Sequence, residues 1–295
     1  MLTLVWSLNW SVMKIALRYS GPLYFSAQRF MVGTLALFAL LALQRKSLKP
    51  TPWLPTLAIG LSQTTAYMAL VTWALESGGA GKTALLAYSM PFWVVPLAWW
   101  WLHEKPDLTR WLSIVLAAAG FVCVVCPWRP LGAPRGIMLA LLAGFTWAVA
   151  TVVSKRLFQR HPGVTPLRLT AWQMLVGTAG LTVLACTIHE RAVTWNGAYL
   201  AALLYSGLLA TSVCWTVWAV IVHRLPANVA SLISLAIPLA GVLFAWGLLG
   251  ERPSLPEILG IVLIGIALFI LNFLPRRRQP ANVAERSGGR SRPAA

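Results

Sequence analysis

Apolar residues run along the chain in stretches of about 20, the length that crosses a hydrocarbon core about 30 Å thick at 1.5 Å per residue. The pattern predicts spans near residues 1–18, 24–43, 53–75, 82–102, 111–127, 136–155, 169–188, 197–222, 228–249 and 257–274. Between them stand Ser20-Gly21-Pro22, Lys49-Pro50-Thr51-Pro52, Gly78-Gly79-Ala80-Gly81 and, at the end, Leu274-Pro275. Such residues break helices and turn the chain. No connection is long enough to fold by itself. The predicted fold class is therefore an all-α membrane protein of ten transmembrane helices.

The pattern also repeats. An ungapped offset of 147 pairs Gly60 with Gly207, Thr64 with Thr211, Ala80 with Ala227, Pro91 with Pro238, Trp99 with Trp246, Glu104 with Glu251 and Pro106 with Pro253. It continues as Leu112-x-Ile114-Val115-Leu116 against Leu259-x-Ile261-Val262-Leu263. Shorter offsets pair Trp6 and Lys14 with Trp147 and Lys155, and Val32-Gly33 with Val176-Gly177. The duplicated unit holds five spans. An odd unit re-enters the membrane from the other side, so the two five-helix halves, residues 1–127 and 128–275, form inverted repeats around a central cavity. About eleven apolar residues precede Trp147 but five precede Trp6, so the native polypeptide is expected to start upstream of Met1.

Composition supports the membrane assignment: 58% of residues are hydrophobic and 11% charged, against roughly 25% charged in soluble domains. The net charge of +17 reflects topology rather than nucleic-acid binding. Arg45, Lys46, Lys49, Lys105, Arg110, Lys155, Arg156, Arg160, Arg168 and Arg224 occupy alternate loops and join Arg276, Arg277 and Arg278 on one face, which the positive-inside rule makes cytoplasmic. Arg18, Lys82, Arg129, Arg135, Arg191 and Arg252 mark the other face. An even number of spans puts both termini in the cytoplasm. Residues 276–295 lack the apolar content of a packed core and read as a basic disordered tail, suited to anionic headgroups or to water. Cys123, Cys126, Cys186 and Cys214 fall within spans, as small apolar residues do.

These features resemble the EamA-type members of the drug/metabolite transporter superfamily. Trp6-x7-Lys14, Pro22 and Arg29-Phe30 match that family's opening pattern, and Pro166 with Thr170-Ala171-Trp172-Gln173-Met174-x2-Gly177 matches it in the second half. A mid-helix proline followed by Glu and Pro appears at Pro91, Glu104, Pro106 and again at Pro238, Glu251, Pro253. The resemblance implies a bacterial inner-membrane exporter of small metabolites with helices 5 and 10 peripheral; amino-acid exporters are prominent members. The run Trp99-Trp100-Trp101-Leu102-His103 is bulkier than the family pattern.

Candidate path residues are aromatic or amide. Trp6, Asn9 and Met13 share a face of helix 1 by i, i+3, i+7 spacing, and Gln63 and Tyr67 share one on helix 3 by i, i+4. Tyr88, Trp147, Gln173 and Trp215 complete a ring of candidate substrate contacts; interhelical glue and interfacial belts are the competing roles. Trp53, Trp111, Trp128 and Trp195, at span ends, fit a belt. Pro91 and Pro238 interrupt their helices, as hinges or as static kinks. Glu104 and Glu251, beside Lys105 and Arg252, read as structural ion pairs. Lys14 and Arg29 lie inside spans, where a charge costs about 2.5–3.5 kcal/mol on the lenient insertion scale and needs a partner, a function or a route to the surface.

The seven acidic residues and four histidines all fall at span ends, in loops or in the tail, so coupling through a mid-membrane carboxylate and export of cationic drugs are disfavoured. A membrane enzyme is disfavoured because neither HExxH, Gly-x-Ser-x-Gly nor a metal cluster is present. A channel would need a pore loop or charged ring. With Lys14 and Arg29 as the sole inward cations, phosphorylated solutes fit poorly. The expected substrate is a neutral or zwitterionic small molecule, an amino acid with an apolar or aromatic side chain, moved by alternating access without a cofactor. Lipid is the other partner, and a monomer is compatible with everything in the sequence.

Overall fold

The computed structural model describes residues 1–125, 134–250 and 254–273. Cys126, Trp128, Arg129, Glu251, Arg252, Pro253, Leu274-Pro275 and the basic tail with Arg276–Arg278 lie outside the described residues, as does the side chain of Lys82. Among the described residues every regular element is helical, and the elements string into ten rods. The first five are α1 (Leu2–Ala16), α2 (Pro22–Leu43), α3 (Trp53–Ile59, Gly60–Ala66 and Tyr67–Ser77 end to end), α4 (Ala80–Ala87 then Met90–Leu102) and α5 (Leu108–Val125). The second five are α6 (Pro134–Arg160), α7 (Pro166–Thr187), α8 (Gly197–Leu204, Tyr205–Val213 and Cys214–Arg224 end to end), α9 (Ala227–Ile233 then Ala236–Leu249) and α10 (Leu255–Phe273).

Local sequence sets the starts. Pro22 and Pro166 occupy first-turn positions, where a missing N–H costs nothing. Thr165 and Asn196 cap their helices by accepting from the N–H of Arg168 and Tyr199. Gly21, at the start of α2, has no side chain to cap with; the Glu190 carboxylate supplies one by accepting from the Leu23 N–H at 2.6 Å.

Among the described residues six segments are long and apolar enough to cross a membrane: Pro22–Leu43, Thr83–Leu102, Pro134–Arg160, Pro166–Thr187, Gly197–Arg224 and Ala227–Leu248. Large apolar side chains face outward all around the bundle, with Leu43 82%, Trp100 79%, Leu108 85% and Leu255 83% exposed. Contiguous exposure of that kind suits lipid rather than water. Trp99 and Trp101 also point out, so the tryptophan run does not narrow the interior. Trp53, Trp111 and Trp195 are exposed at helix ends, as a belt requires. The α5–α10 pair packs closely together at the periphery: a Cβ on Gly120 would stand 2.7 Å from the Gly260 carbonyl oxygen.

The interior is built where helices from the two ends of the sequence cross. At Gly33 of α2 a Cβ would meet the Thr211 methyl of α8 at 2.6 Å and the Gly207 carbonyl oxygen at 3.0 Å. At Gly177 of α7 a Cβ would stand 2.2 Å from Thr64 Cβ and 2.7 Å from the Gly60 carbonyl oxygen of α3. Only glycine allows either approach. Both receiving stretches, Gly60–Ala66 and Tyr205–Val213, are π-helical, a departure from α geometry that recurs at functional sites.

Candidate functional site

Between these crossings lies a cavity of about 30 Å³ lined by Trp6, Asn9, Trp10, Met13, Arg29, Tyr67, Met68, Val71, Tyr88, Trp147 and Trp215. Trp147, 1% exposed, is its hub: ring centroids lie 5.0 Å from Tyr67, 5.2 Å from Tyr88, 5.7 Å from Trp6 and 6.1 Å from Trp215. Most of these pairs are edge-on or tilted, the geometry ring quadrupoles favour. Polar bonds fix the rim. Trp6 Nε1 donates to the Ala210 carbonyl at 2.8 Å, and Ser206 Oγ donates to Asn9 Oδ1 at 2.8 Å, both partners lying in the π-helical part of α8. The Trp147 indole N–H is buried without an acceptor among the described residues.

Arg29 is 1% exposed and reaches the same cavity. Its Nε and Nη2 donate to Thr211 Oγ1 at 3.2 and 3.0 Å, and Nη1 points at the Met13 sulfur. Its guanidinium carbon sits 5.2 Å from the Phe30 ring centroid and 5.9 Å from that of Phe25. No carboxylate among the described residues pairs with it.

Gln63 and Gln173 do not reach this cavity. They line a second, of about 10 Å³, with Ile59, Ser154, Thr170, Trp218 and Val222. Trp215 lines both and stands between them. Gln63 and Tyr67, four positions apart, line different cavities. Gln173 Oε1 accepts from Thr64 Oγ1 at 2.9 Å. Trp10 and Trp218 are aromatic members that the ring of candidates missed; each lies one helical turn from a member, at i+4 from Trp6 and i+3 from Trp215, which would have found them.

Both interrupted helices break beside their prolines. α4 stops at Ala87 and restarts at Met90, just before Pro91; α9 stops at Ile233 and restarts at Ala236, before Pro238. Tyr88 sits in the first break, which carries its ring to the cavity. The second is tied to α1 by Ser7 Oγ, which donates to the Ile237 carbonyl at 2.7 Å. Pro96, inside the same helix as Pro91, is a further interruption that the repeat does not share.

Five other charged residues close helix ends. Lys14 is not among the residues that line the cavity: its Nζ donates to the carbonyls of Leu75 at 2.6 Å and Gly78 at 2.7 Å, with Glu76 at 3.3 Å, where α3 ends. Lys155 does the same for α8, donating to the His223 carbonyl at 3.2 Å. A cation at a helix C-terminus satisfies orphan carbonyls and complements the helix dipole. Glu104, rather than pairing with Lys105, accepts from the N–H groups of Ala227 at 3.1 Å and Asn228 at 3.3 Å at the start of α9. At the other end of the bundle Glu190 caps α2 and accepts from Trp73 Nε1 at 3.1 Å, while the Arg191 guanidinium donates to the carbonyls of Leu17 and Ser20.

Outward apolar faces around an aromatic and polar interior define an integral membrane protein. The chain belongs to the EamA-like transporter family, whose profile matches residues 1–126 and 134–273. It is similar to the uncharacterized transporter YoaV of Bacillus subtilis, 27% identical over 283 residues that make up 94% of this chain and 96% of that one. Probable amino-acid metabolite efflux pumps of Salmonella typhimurium and Escherichia coli are each 27% identical, over 96% of both chains. A solved crystal structure superposes with a TM-score of 0.73 over 92% of this chain and 95% of its own at 21% identity, a likeness of fold alone.

Proposed function

We propose that this transporter exports amino acids with apolar or aromatic side chains across the bacterial inner membrane by alternating access. Its halves, residues 1–127 and 128–275, are inverted five-span repeats, all ten rods cross the membrane, and both termini are cytoplasmic. The observation that carries the substrate class is the central cavity: it is walled by Trp6, Tyr67, Tyr88, Trp147 and Trp215, with no carboxylate among its lining residues. Such walls receive an apolar side chain by ring contacts worth about 0.5–1.5 kcal/mol per aromatic pair beyond burial. Asn9 orients the polar end. The relatives described as probable amino-acid metabolite efflux pumps point to amino acids as well.

Paired contacts support the repeat. Gly33 against Thr211 answers Gly177 against Thr64, and Lys14 at Glu76 answers Lys155 at His223, each partner displaced by 147 positions. Cavity size supports alternating access. A volume of 30 Å³ has room for about two waters at ~10–15 Å³ each, far below the roughly 300 Å³ and more of small-molecule sites. This conformation is closed around the path, and a solute enters only when the halves rock apart at the Gly33 and Gly177 crossings, with the breaks before Pro91 and Pro238 as hinges.

The test is efflux from loaded proteoliposomes of phenylalanine, threonine and a phosphorylated sugar, by wild type, Tyr67→Ala and Trp6→Ala. Wild type is expected to prefer phenylalanine, and each variant to lose most of that flux while inserting normally. Unchanged flux in both variants, or movement of the phosphorylated compound alone, overturns the proposal.

A further inference from the structure

We propose that Arg29 is the receptor for the carboxylate of the transported solute, an assignment that rests on the central cavity being the substrate path. Three observations converge. The guanidinium is fully buried on the cavity wall, and no carboxylate among the described residues neutralises it. Thr211 Oγ1 and the Met13 sulfur take three of its hydrogens, whereas a guanidinium carries five in a planar fork shaped for a carboxylate. The Trp147 indole N–H, on the same wall, is also without an acceptor among the described residues.

The repeat supplies an internal control. Arg29 and Gln173 are equivalent through the offset of 144 that pairs Val32-Gly33 with Val176-Gly177, and Thr211 and Thr64 through the offset of 147. Arg29 bonds Thr211, and Gln173 bonds Thr64. A neutral amide therefore suffices to tie these helices at the second crossing. A cation at the first is more than the fold needs, and burying it without a counter-charge is costly in a membrane. A solute that brings a carboxylate removes that cost when it binds. Its apolar body then lies among Trp6, Tyr67, Tyr88 and Trp215, and an ammonium group finds aromatic faces, which attract cations. The ligand class is a monocarboxylate with an apolar body.

The test uses full-length protein in proteoliposomes with labelled phenylalanine and three competitors: 3-phenylpropionate, which keeps the carboxylate and lacks the amine, and phenylalaninamide and phenethylamine, which keep the amine and lack the carboxylate. In wild type 3-phenylpropionate is expected to compete at least tenfold better than either amine. Arg29→Gln, which installs the residue of the other half, should raise half-saturation for phenylalanine at least tenfold and erase that ranking; Arg29→Lys should keep the ranking with a smaller loss. If Arg29 only ties helices, Arg29→Gln lowers melting temperature and leaves half-saturation and ranking unchanged, which overturns the proposal. Should Arg29→Gln fail to insert, the wild-type ranking decides, and amines competing as well as the acid overturn it. Should wild type move no phenylalanine, the export proposal fails separately. Quenching of tryptophan fluorescence by 3-phenylpropionate but not by phenethylamine still supports the Arg29 assignment, and equal or no quenching overturns it.

Discussion

The two cavities on either side of Trp215 are built on one backbone plan and differ in chemistry. Each sits beside a glycine crossing onto a π-helical stretch, and each has a threonine bonded to the side chain one turn before that glycine. At the first, that side chain is Arg29 and the walls are a cage of Trp and Tyr; at the second, it is Gln173 with Gln63, Ser154 and Thr170. Glycine, threonine and the helix breaks are backbone devices, and both halves keep them. Side chains that face the interior carry no such constraint and have diverged. The two stations so formed are unlike, one cationic and aromatic, the other neutral and polar.

Removing the partition between the stations should have the largest effect. Trp215→Ala joins the two cavities and strips Trp6, Tyr67 and Trp147 of a ring contact; aromatic truncation in a packed core costs about 3–5 kcal/mol. The expected result is a clear drop in melting temperature in detergent and loss of discrimination between phenylalanine and threonine. Next comes Gly177→Val, which puts new methyls where Thr64 Cβ already stands 2.2 Å from the nearest added atom. Overpacking costs about 1–3 kcal/mol when neighbours can yield, and here the neighbour includes backbone, so the monodisperse fraction on size exclusion should fall sharply. Gly33→Val, with 2.6 Å to a methyl, should be milder, and the reverse order would break the equivalence drawn between the crossings. Lys14→Met should then cost about 1.5–3 kcal/mol, the scale of a hydrogen bond to a charged group, while Lys155→Met, which frees one exposed carbonyl contact, costs less. Chemical denaturation of the two variants side by side measures that difference. Glu104→Gln should be smallest, about 1 kcal/mol, as expected for weakening a helix cap, with efflux rate unchanged.

The helices were legible because their apolar composition registers directly in twenty-residue windows, and the predicted ends fall within a few residues of the observed helices. Trp6, Asn9, Tyr88, Trp147 and Trp215 were legible as inward residues because polar and aromatic side chains are conspicuous in an apolar run. Gln63 lines the second cavity rather than the first, a distinction between adjoining cavities that i, i+4 spacing does not draw. Glu104 was read from its sequence neighbour Lys105, whereas its partners are the N–H groups that open a helix 123 and 124 positions away. Backbone donors and acceptors leave no mark in the sequence, so a capping role of that range is visible only in three dimensions.

The central claim is that one path runs between the halves and opens to each side in turn. It is tested most directly by a single cysteine at Met68, a flexible neighbour of the cage on the cavity wall, in protein whose four native cysteines are replaced by alanine. Membrane-impermeant thiol reagent applied to right-side-out and to inside-out vesicles should label Met68→Cys from both sides, and phenylalanine should slow labelling from each. Labelling confined to one side, or rates indifferent to phenylalanine, would contradict the account.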